Sequence, residues 1–206
     1  IIGNYATPMG IKRIHYKMPS RDRNLTYKIG IGSGSLCSTR IQTGCGMPTF
    51  QSLWDINELR QHHSESDGEN FDIIGDGGIK NSGDIVKALA AGANAVMLGS
   101  LLAGTDETPG DIIRHKDGLL YKVYRGSASF ADKKTRGEST SHIEGAETLV
   151  PYKGSVKNII NNLLQGIRSG FSYCGSENIK ELQSDNSRFI RITDSGIKES
   201  KPHLLY

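Results

Sequence analysis

The sequence has little of what marks membrane, secreted or nucleic-acid-binding proteins. None of its 206 residues belongs to an apolar run of about 18 or more, and no charged segment leads into an apolar one, so we expect no membrane span or secretory signal. Three cysteines cannot form a paired disulfide framework, which favours a cytoplasmic protein. The 25 Lys and Arg nearly balance the 22 Asp and Glu, so no nucleic-acid partner is expected.

Glycine is the residue in excess. It makes up 25 of 206 residues, about 12%, against a usual share of about 7%. The glycines end four short apolar runs, and helical patterns separate these runs. Repeated units of apolar strand, glycine turn and helix predict an α/β fold, with parallel strands buried on both faces and functional loops at their carboxyl ends.

The pattern also predicts where the individual elements lie. We expect four parallel strands, at 1–4, 27–31, 71–76 and 95–100. We expect helices at 8–14 and 53–60, from 82 onward, and at 156–167, with loops at 18–26 and 62–70. Beyond residue 116 the pattern predicts an exposed hairpin strand at 119–124, a mobile polar cover at 130–142, and a tail with a short strand at 189–206.

One cysteine stands in surroundings that suit a nucleophile. Cys37 follows the glycine-rich turn 32–35, and Arg40 comes three residues later. Loop N–H groups and a nearby cation stabilise a thiolate, so Cys37 is a candidate nucleophile, with a buried structural cysteine as the alternative. Cys45 and Cys174 lack such surroundings and are assigned to the structural class. The six histidines show no metal-ligand spacing.

Two further strand ends carry glycines and polar residues, Asp76-Gly77-Gly78 and Gly99-Ser100. In a barrel these loops share one face, where backbone N–H groups bind phosphate and an aspartate can hold ribose hydroxyls. Taken singly, each pair is typical of an ordinary turn between strand and helix. Together with Ser35 and Tyr124 they predict a site for a nucleoside monophosphate.

Five segments resemble the inosine monophosphate dehydrogenase and guanosine monophosphate reductase family: GSGSLCSTRIQTG, DGGIKNSGDIVKALAAGANAVMLGSLLAGTDETPG, YRGSAS, LVPYKG and RSGFSYCG. The resemblance runs from Ile1 to about His203. It implies a TIM (β/α)8 barrel, of which this chain supplies about the last four βα units over 1–116. A hairpin and active-site flap would follow over 117–155, and a closing helix with the C-terminal tail over 156–206. The first four strands would lie upstream of Ile1.

The resemblance also implies roles for single residues. Cys37 matches the nucleophile that attacks carbon 2 of the purine, and Thr39 matches a catalytic polar position. Asp76 would hold the ribose and Glu144 the purine edge. The substrate-binding set as a whole would be Ser35, Asp76, Gly77, Gly78, Gly99, Ser100, Tyr124, Gly126, Ser127 and Glu144.

Cofactor, ion and assembly are implied in the same way. NAD, or NADPH in a reductase, would contact Asn4, Gly30 and Gly32. A potassium ion would bind Gly32, Gly34 and Cys37 of one subunit and Glu199, Ser200 and Lys201 of its neighbour. A site shared between subunits implies a homotetramer.

Two reactions remain open. A dehydrogenase oxidises inosine monophosphate to xanthosine monophosphate through a covalent Cys thioimidate, whereas a reductase deaminates guanosine monophosphate. The flap lacks the Arg-Tyr pair usual in dehydrogenases, and Phe130 stands where bacterial reductases carry a Glu. The ending RITDSGIKESKPH resembles dehydrogenases, which we favour, with Arg136 as the candidate base. An inactive fragment, or half of a split enzyme that needs a separate N-terminal barrel half, is the third alternative.

Overall fold

The computed structural model describes residues 1–15, 17, 25–67, 71–184 and 189–202, and a four-stranded parallel sheet is its centre. The strands are β1 (Ile2–Tyr5), β2 (Thr26–Ile29), β3 (Asp72–Asp76) and β4 (Ala95–Met97), and they pair in sequence order. Parallel neighbours need a crossover between them. Helices α1 (Pro8–His15), α2 (Thr39–Thr43), α3 (Thr49–Asp67) and α4 (Ser82–Ala90) lie in these crossovers. The four predicted parallel strands are therefore confirmed.

The hydrophobic core lies between one face of this sheet and the helices. Tyr27 and Ile29 of β2 and Ile73 of β3 are fully buried, and they pack in one cluster with Leu53 and Ile56 of α3. Because side chains alternate along a strand, the residues between them face the other way. That second face carries exposed residues of β4, so burial of both faces, which the pattern predicted, is not met within the described residues.

Truncating this core is expected to destabilise the chain strongly. Ile73→Ala removes a fully buried side chain and leaves a cavity, so we expect it to lower the free energy of unfolding by about 2–5 kcal/mol. Ile41→Ala removes a side chain that is 85% exposed, and its effect should stay within about 0.5 kcal/mol. Urea titrations of both variants measure the difference. Equal effects would mean that the sheet is not packed as described.

A smaller antiparallel sheet follows. Strands β5 (Ile113–Arg114), β6 (Leu120–Arg125) and β7 (Glu147–Pro151) pair in that order, and α5 (Phe130–Thr135) lies between β6 and β7. Helix α6 (Val156–Tyr173) packs along α4, as does α7 (Ile179–Ser184). The chain continues to α8 (Asp194–Glu199). None of the described helices is both long and apolar enough to cross a bilayer.

Two predicted segments differ from the structure. Helix α3 runs to Asp67 where a loop was predicted from residue 62, because no Gly or Pro interrupts these polar residues; residues 68–70 of that loop, like 18–24 of the other, lie outside the described residues. The strand predicted in the tail is wrong. Phe189 instead packs its ring on Phe50 and Trp54 of α3, with centroids 4.7 and 5.6 Å apart, and Thr193 then caps α8.

Candidate active site

Three segments distant in sequence converge around Cys37. The backbone N–H of Ser38 donates to the Glu144 carbonyl at 2.8 Å, and that of Ala146 donates to the Leu36 carbonyl at 3.1 Å. The N–H of Gly145 in turn donates to the Ala128 carbonyl at 3.1 Å. The cysteine loop is thus held by main-chain hydrogen bonds against the residues that follow α5. These residues are in turn bonded to Ala128, which precedes α5.

Gly145 is the position where these segments come closest. A Cβ built there would lie 2.6 Å from the backbone nitrogen of Ser129, a separation that real Cβ atoms do not adopt. Gly145 also forms isolated β-bridges with Cys37 and with Ser129. Only glycine allows this close approach of the two backbones, so the packing of the site requires a glycine at position 145.

A cavity of about 330 Å³ opens beside the thiol. Its size falls within the range of small-molecule sites. All ten residues predicted to bind substrate line this cavity together with Cys37: Ser35, Asp76, Gly77, Gly78, Gly99, Ser100, Tyr124, Gly126, Ser127 and Glu144. The structure therefore brings together residues that the sequence spreads over more than half of the chain.

One end of the cavity is formed by small residues and hydroxyl groups. The Ser35 and Tyr124 hydroxyls lie 3.2 Å apart, next to the turns at Gly78 and Ser100. Behind this end, Lys153 Nζ donates to the Ser100 carbonyl at 2.9 Å and to the Leu101 carbonyl at 3.2 Å. Burial lowers the pKa of Lys153. A partly desolvated cation that donates to carbonyls, and not to a carboxylate among the described residues, suits the neighbourhood of an anionic group.

The other end contains a hydrogen-bonded chain from thiol to carboxylate. Cys37 Sγ donates to Thr39 Oγ1 at 3.0 Å, and Thr39 Oγ1 donates to Glu144 Oε2 in a short hydrogen bond. His142 Nε2 lies 3.0 Å from the other carboxylate oxygen, Oε1. Thr39 itself does not line the cavity but connects two residues that do. This arrangement can move a proton from the sulfur to the carboxylate.

The hydrogen bond from Thr39 is the largest influence on the acidity of Glu144. It lowers the pKa of the carboxyl group, the positive charges of His142 and Lys133 lower it further, and partial burial opposes them. Glu144 therefore stays ionised to a lower pH than an ordinary glutamate, which is the state that a proton acceptor needs.

Removing the Thr39 hydroxyl should shift this titration in a defined direction. Thr39→Val deletes the donor, so the pKa of Glu144 should rise towards its ordinary value. As the pH is lowered, Glu144 is then protonated sooner, and any step that needs the carboxylate stops at a higher pH than in the unchanged chain. We expect the acid limb of the activity profile, and the carboxyl NMR titration, to move to higher pH. Thr43→Val is the control, because the Thr43 hydroxyl donates to the Thr39 carbonyl and accepts from the Cys45 N–H but does not contact Glu144. A shift to lower pH, or none, contradicts the assignment.

Arg136 does not occupy the place expected of a base. Its guanidinium pairs with Asp132 at 3.2 Å and Glu138 at 2.9 Å, and it donates to the Ser127 carbonyl at 2.6 Å. It does not line the cavity. A guanidinium offers donors and no acceptor, and these contacts use it to tie α5 to the rim of the site. The geometry therefore argues against the predicted base and assigns Arg136 a structural contact.

The predicted cofactor residues form contacts with one another. Asn4 Nδ2 donates to the Gly30 carbonyl at 2.7 Å and to Asp76 Oδ2 at 2.8 Å. A Cβ at Gly30 would overlap the Asp76 carbonyl, and one at Gly32 would meet Arg40, so packing alone accounts for both glycines. The Asn4 amide oxygen has no donor among the described residues. That oxygen can accept a hydrogen bond from a carboxamide such as that of nicotinamide.

The carbonyls predicted to bind potassium do not form a ready cation site. The Gly34 carbonyl accepts a hydrogen bond from the Cys37 N–H at 3.0 Å, and the Arg40 side chain lies against Gly32. The Arg40 guanidinium donates to the carbonyls of Ile31 and Met47 in the same loop. A fixed positive charge beside the loop disfavours a second cation, so no step is assigned to potassium.

The remaining ion ligands were predicted to come from a neighbouring subunit. Glu199, Ser200 and Lys201 lie at the end of α8, where Ser200 Oγ donates to Ile197 and the Lys201 N–H to Lys198. These local bonds do not test an intersubunit role. Among the described residues, no group of three or more His, Cys, Asp or Glu side chains could hold a metal ion.

Sequence reasoning missed several residues of the site. Ser33 stands where the family usually has Pro, and its hydroxyl donates to the Asp76 carbonyl at 3.0 Å, which ties the cysteine loop to β3. Lys28 and Lys153 contact the lining from behind, and His142 contacts Glu144. No local motif points to Ser33, Lys28 or Lys153, since each acts through a partner more than 40 positions away in sequence, whereas His142 lies two positions before Glu144. Cys45, assigned to the structural class, is exposed.

Comparison with known proteins gives a consistent result. The model of the IMP dehydrogenase / GMP reductase domain matches residues 1–203. The inosine-5′-monophosphate dehydrogenase of Nitrosopumilus maritimus is 44% identical in an alignment 188 positions long, which covers 85% of this chain and 38% of that protein. That of Aquifex aeolicus is 42% identical in an alignment 212 positions long, gaps included, which covers 98% of this chain and 41% of that protein. The chain thus spans about two fifths of these relatives.

A solved structure matches as well. The crystal structure of a Cys-to-Ala variant of GMP reductase from Trypanosoma brucei, in complex with guanosine 5′-monophosphate, superposes with a TM-score of 0.84 at 37% identity. The match covers 98% of this chain and 40% of that one. Sequence and structure comparisons therefore agree over nearly the whole chain.

Proposed function

The chain belongs to the IMP dehydrogenase / GMP reductase family, and from this premise we propose that it carries the nucleophile and the nucleotide site of an IMP dehydrogenase. The observation that supports this best is the chain of contacts from Cys37 through Thr39 to Glu144, at the rim of a cavity lined by every predicted substrate contact. The substrate is a purine nucleoside monophosphate, inosine monophosphate.

The nucleotide lies in the cavity with its phosphate at the end formed by Ser35, Gly78, Ser100 and Tyr124. These residues offer hydroxyl and backbone donors, and Lys153 adds a positive charge behind them. The purine then reaches the end that holds Cys37, whose thiol is exposed.

The reaction is an oxidation at carbon 2 of the hypoxanthine ring. Cys37 Sγ forms a bond to carbon 2 as its proton passes through Thr39 to Glu144. The hydrogen of carbon 2 leaves with two electrons, which leaves a thioimidate on Cys37. Bound NAD supplies the acceptor of this hydride. Glu144 then gives the first proton to solvent, a water molecule bonds through its oxygen to carbon 2 as its proton passes through Thr39 to Glu144, and the carbon–sulfur bond breaks. Xanthosine monophosphate is released and the sulfur leaves as a thiolate, which takes back the proton from Glu144.

The water step needs a base, and we assign it to Thr39 and Glu144. Glu144 and Asp76 are the two carboxylates among the described residues that line the cavity. Asp76 is occupied by an ion pair with Lys28, and Arg136 is bound to carboxylates outside the cavity. Thr39 contacts both the sulfur and Glu144, so it can relay a proton from a water molecule beside the sulfur to the carboxylate.

Assembly follows from the family and from the open sheet face. We propose that residues 1–116 supply the last four βα units of a TIM barrel, 117–155 a hairpin and flap, and 156–206 the closing helix and tail. The first half of the barrel would then cover the exposed residues of β4. A cytoplasmic homotetramer is the assembly expected of this family.

A GMP reductase is the second candidate, because the solved relative is a GMP reductase and the flap has no Arg-Tyr pair. In that reaction Cys37 would displace ammonia from carbon 2 of guanine, and NADPH would then reduce the adduct. The same thiol, carboxylate and phosphate contacts would serve both reactions.

A paired assay separates these candidates. The chain, alone and together with a protein that supplies the first four strands, is tested with inosine monophosphate plus NAD and with guanosine monophosphate plus NADPH. Formation of NADH with the first pair supports the dehydrogenase. Consumption of NADPH with release of ammonia overturns it in favour of the reductase. Activity with neither pair under either condition supports the inactive fragment.

A further inference from the structure

Asp76 is held by two side chains that act on the same oxygen. Lys28 Nζ lies 2.9 Å from Asp76 Oδ2, and Asn4 Nδ2 donates to Oδ2 at 2.8 Å. No described group donates to the other oxygen, Oδ1, although Asp76 lines the cavity. The carboxylate therefore has one anchored oxygen and one that is free to bind a ligand.

The sheet places Lys28 for this contact. Tyr27 and Ile29 are fully buried on the helix side, so Lys28 between them faces the side of the sheet that carries Asp76. Its neighbour on β1 is Gly3, where a Cβ would lie 2.7 Å from the Lys28 Cβ. Only glycine at this point leaves room for the lysine side chain.

A local irregularity brings Asn4 to the same face. The pairing of β1 with β2 changes register between Gly3 and Tyr5. In a regular strand Asn4 would face opposite to Gly3, whereas an irregularity of this kind turns the side chain to a new direction. Asn4 thereby reaches both Gly30 and Asp76.

The ion pair has an electrostatic consequence for an anionic ligand. Asp76 and Glu144 both line the cavity, and a nucleoside monophosphate brings about two more negative charges. Lys28 offsets the charge of Asp76. The side chains of Lys28 and Asp76 are 28% and 23% exposed, so solvent screens this ion pair only in part, and the pair can hold the carboxylate in one orientation.

We propose that Lys28 is a positioning residue that turns Asp76 Oδ1 towards the ribose, so that the site selects ribonucleotides over 2′-deoxyribonucleotides. This inference rests on the proposed nucleotide site. A carboxylate with one oxygen fixed by Lys28 and Asn4 presents the other in a single direction, as acceptance of hydrogen bonds from ribose hydroxyls requires.

The test compares dissociation constants of the full chain for inosine monophosphate and 2′-deoxyinosine monophosphate by calorimetry. We expect the unchanged chain to prefer the ribonucleotide by at least about tenfold, as loss of a hydrogen bond to a charged group implies. Lys28→Met should reduce this preference to less than about threefold, Lys28→Arg should restore most of it, and Asp76→Asn should abolish it. Lys157→Met, at an exposed lysine of α6, should leave it unchanged.

The outcomes are distinguishable. If the unchanged chain binds neither nucleotide, the proposed nucleotide site is wrong and the inference falls with it. If it binds both with the expected preference and Lys28→Met keeps that preference within about twofold, the nucleotide site stands and the role of Lys28 is refuted. If Lys28→Met does not fold, as judged by circular dichroism, Lys28→Gln and Asn4→Ala replace it under the same criteria.

Discussion

Replacement of Cys37 by serine is expected to lower turnover by at least about 10⁴-fold while nucleotide binding changes by less than about threefold. A serine hydroxyl is not deprotonated as a thiol is, so the covalent step fails. The fold should not suffer, because the Cys37 side chain is exposed and serine can also make its hydrogen bond to Thr39. Steady-state kinetics and calorimetry measure the two quantities.

Cys45→Ser is the matched control for this experiment. Cys45 is also exposed and lies only eight positions further along the chain, yet it is absent from the lining of the cavity. Its replacement should leave turnover within about twofold of the unchanged enzyme. Alkylation with a 6-chloropurine nucleotide provides an independent check, since it should label Cys37. Label on Cys45 or Cys174 with Cys37 spared would overturn the assignment.

The fold could be predicted where local pattern and tertiary structure coincide. Apolar runs that stop at glycines located all four parallel strands, because one face of the sheet buries apolar side chains against the helices. The end of α3 was missed because its last turns are polar, and polarity was interpreted as a loop although no helix breaker is present. A strand was predicted in the tail because the contact of Phe189 with aromatic side chains of α3 could not be foreseen. These partners lie about 140 positions earlier in the chain, and a local sequence pattern contains no information about such a contact.

In the candidate site too, the sequence predicted the residues but not the contacts between them. Residues at strand ends share one face for reasons of topology, and all ten predicted substrate contacts line one cavity. The contact between Thr39 and Glu144 joins positions 105 residues apart, so the sequence could assign each residue a role but not the bond between them. Arg136 was singled out by its position in a polar flap, and only the ion pairs with Asp132 and Glu138 reveal how it is used.

Replacement of Glu144 by glutamine is expected to lower turnover by about 10²- to 10⁴-fold, the usual contribution of general acid–base catalysis. The amide can still accept a hydrogen bond from Thr39, so the geometry of the site should survive, but it cannot hold the proton that leaves Cys37 or water. Stopped-flow kinetics with inosine monophosphate and NAD should show slow formation and slow hydrolysis of the covalent intermediate.

Arg136→Ala is the comparison that decides between the two bases. Its guanidinium holds α5 to Asp132, Glu138 and the Ser127 carbonyl, so the variant should loosen this segment and slow hydrolysis of the intermediate by less than about tenfold, roughly 1.4 kcal/mol of barrier. Hydrolysis slowed far more in Arg136→Ala than in Glu144→Gln would return the role of base to the arginine. If Glu144 is the base, as its contact with Thr39 next to the thiol indicates, hydrolysis should be slower in Glu144→Gln than in Arg136→Ala.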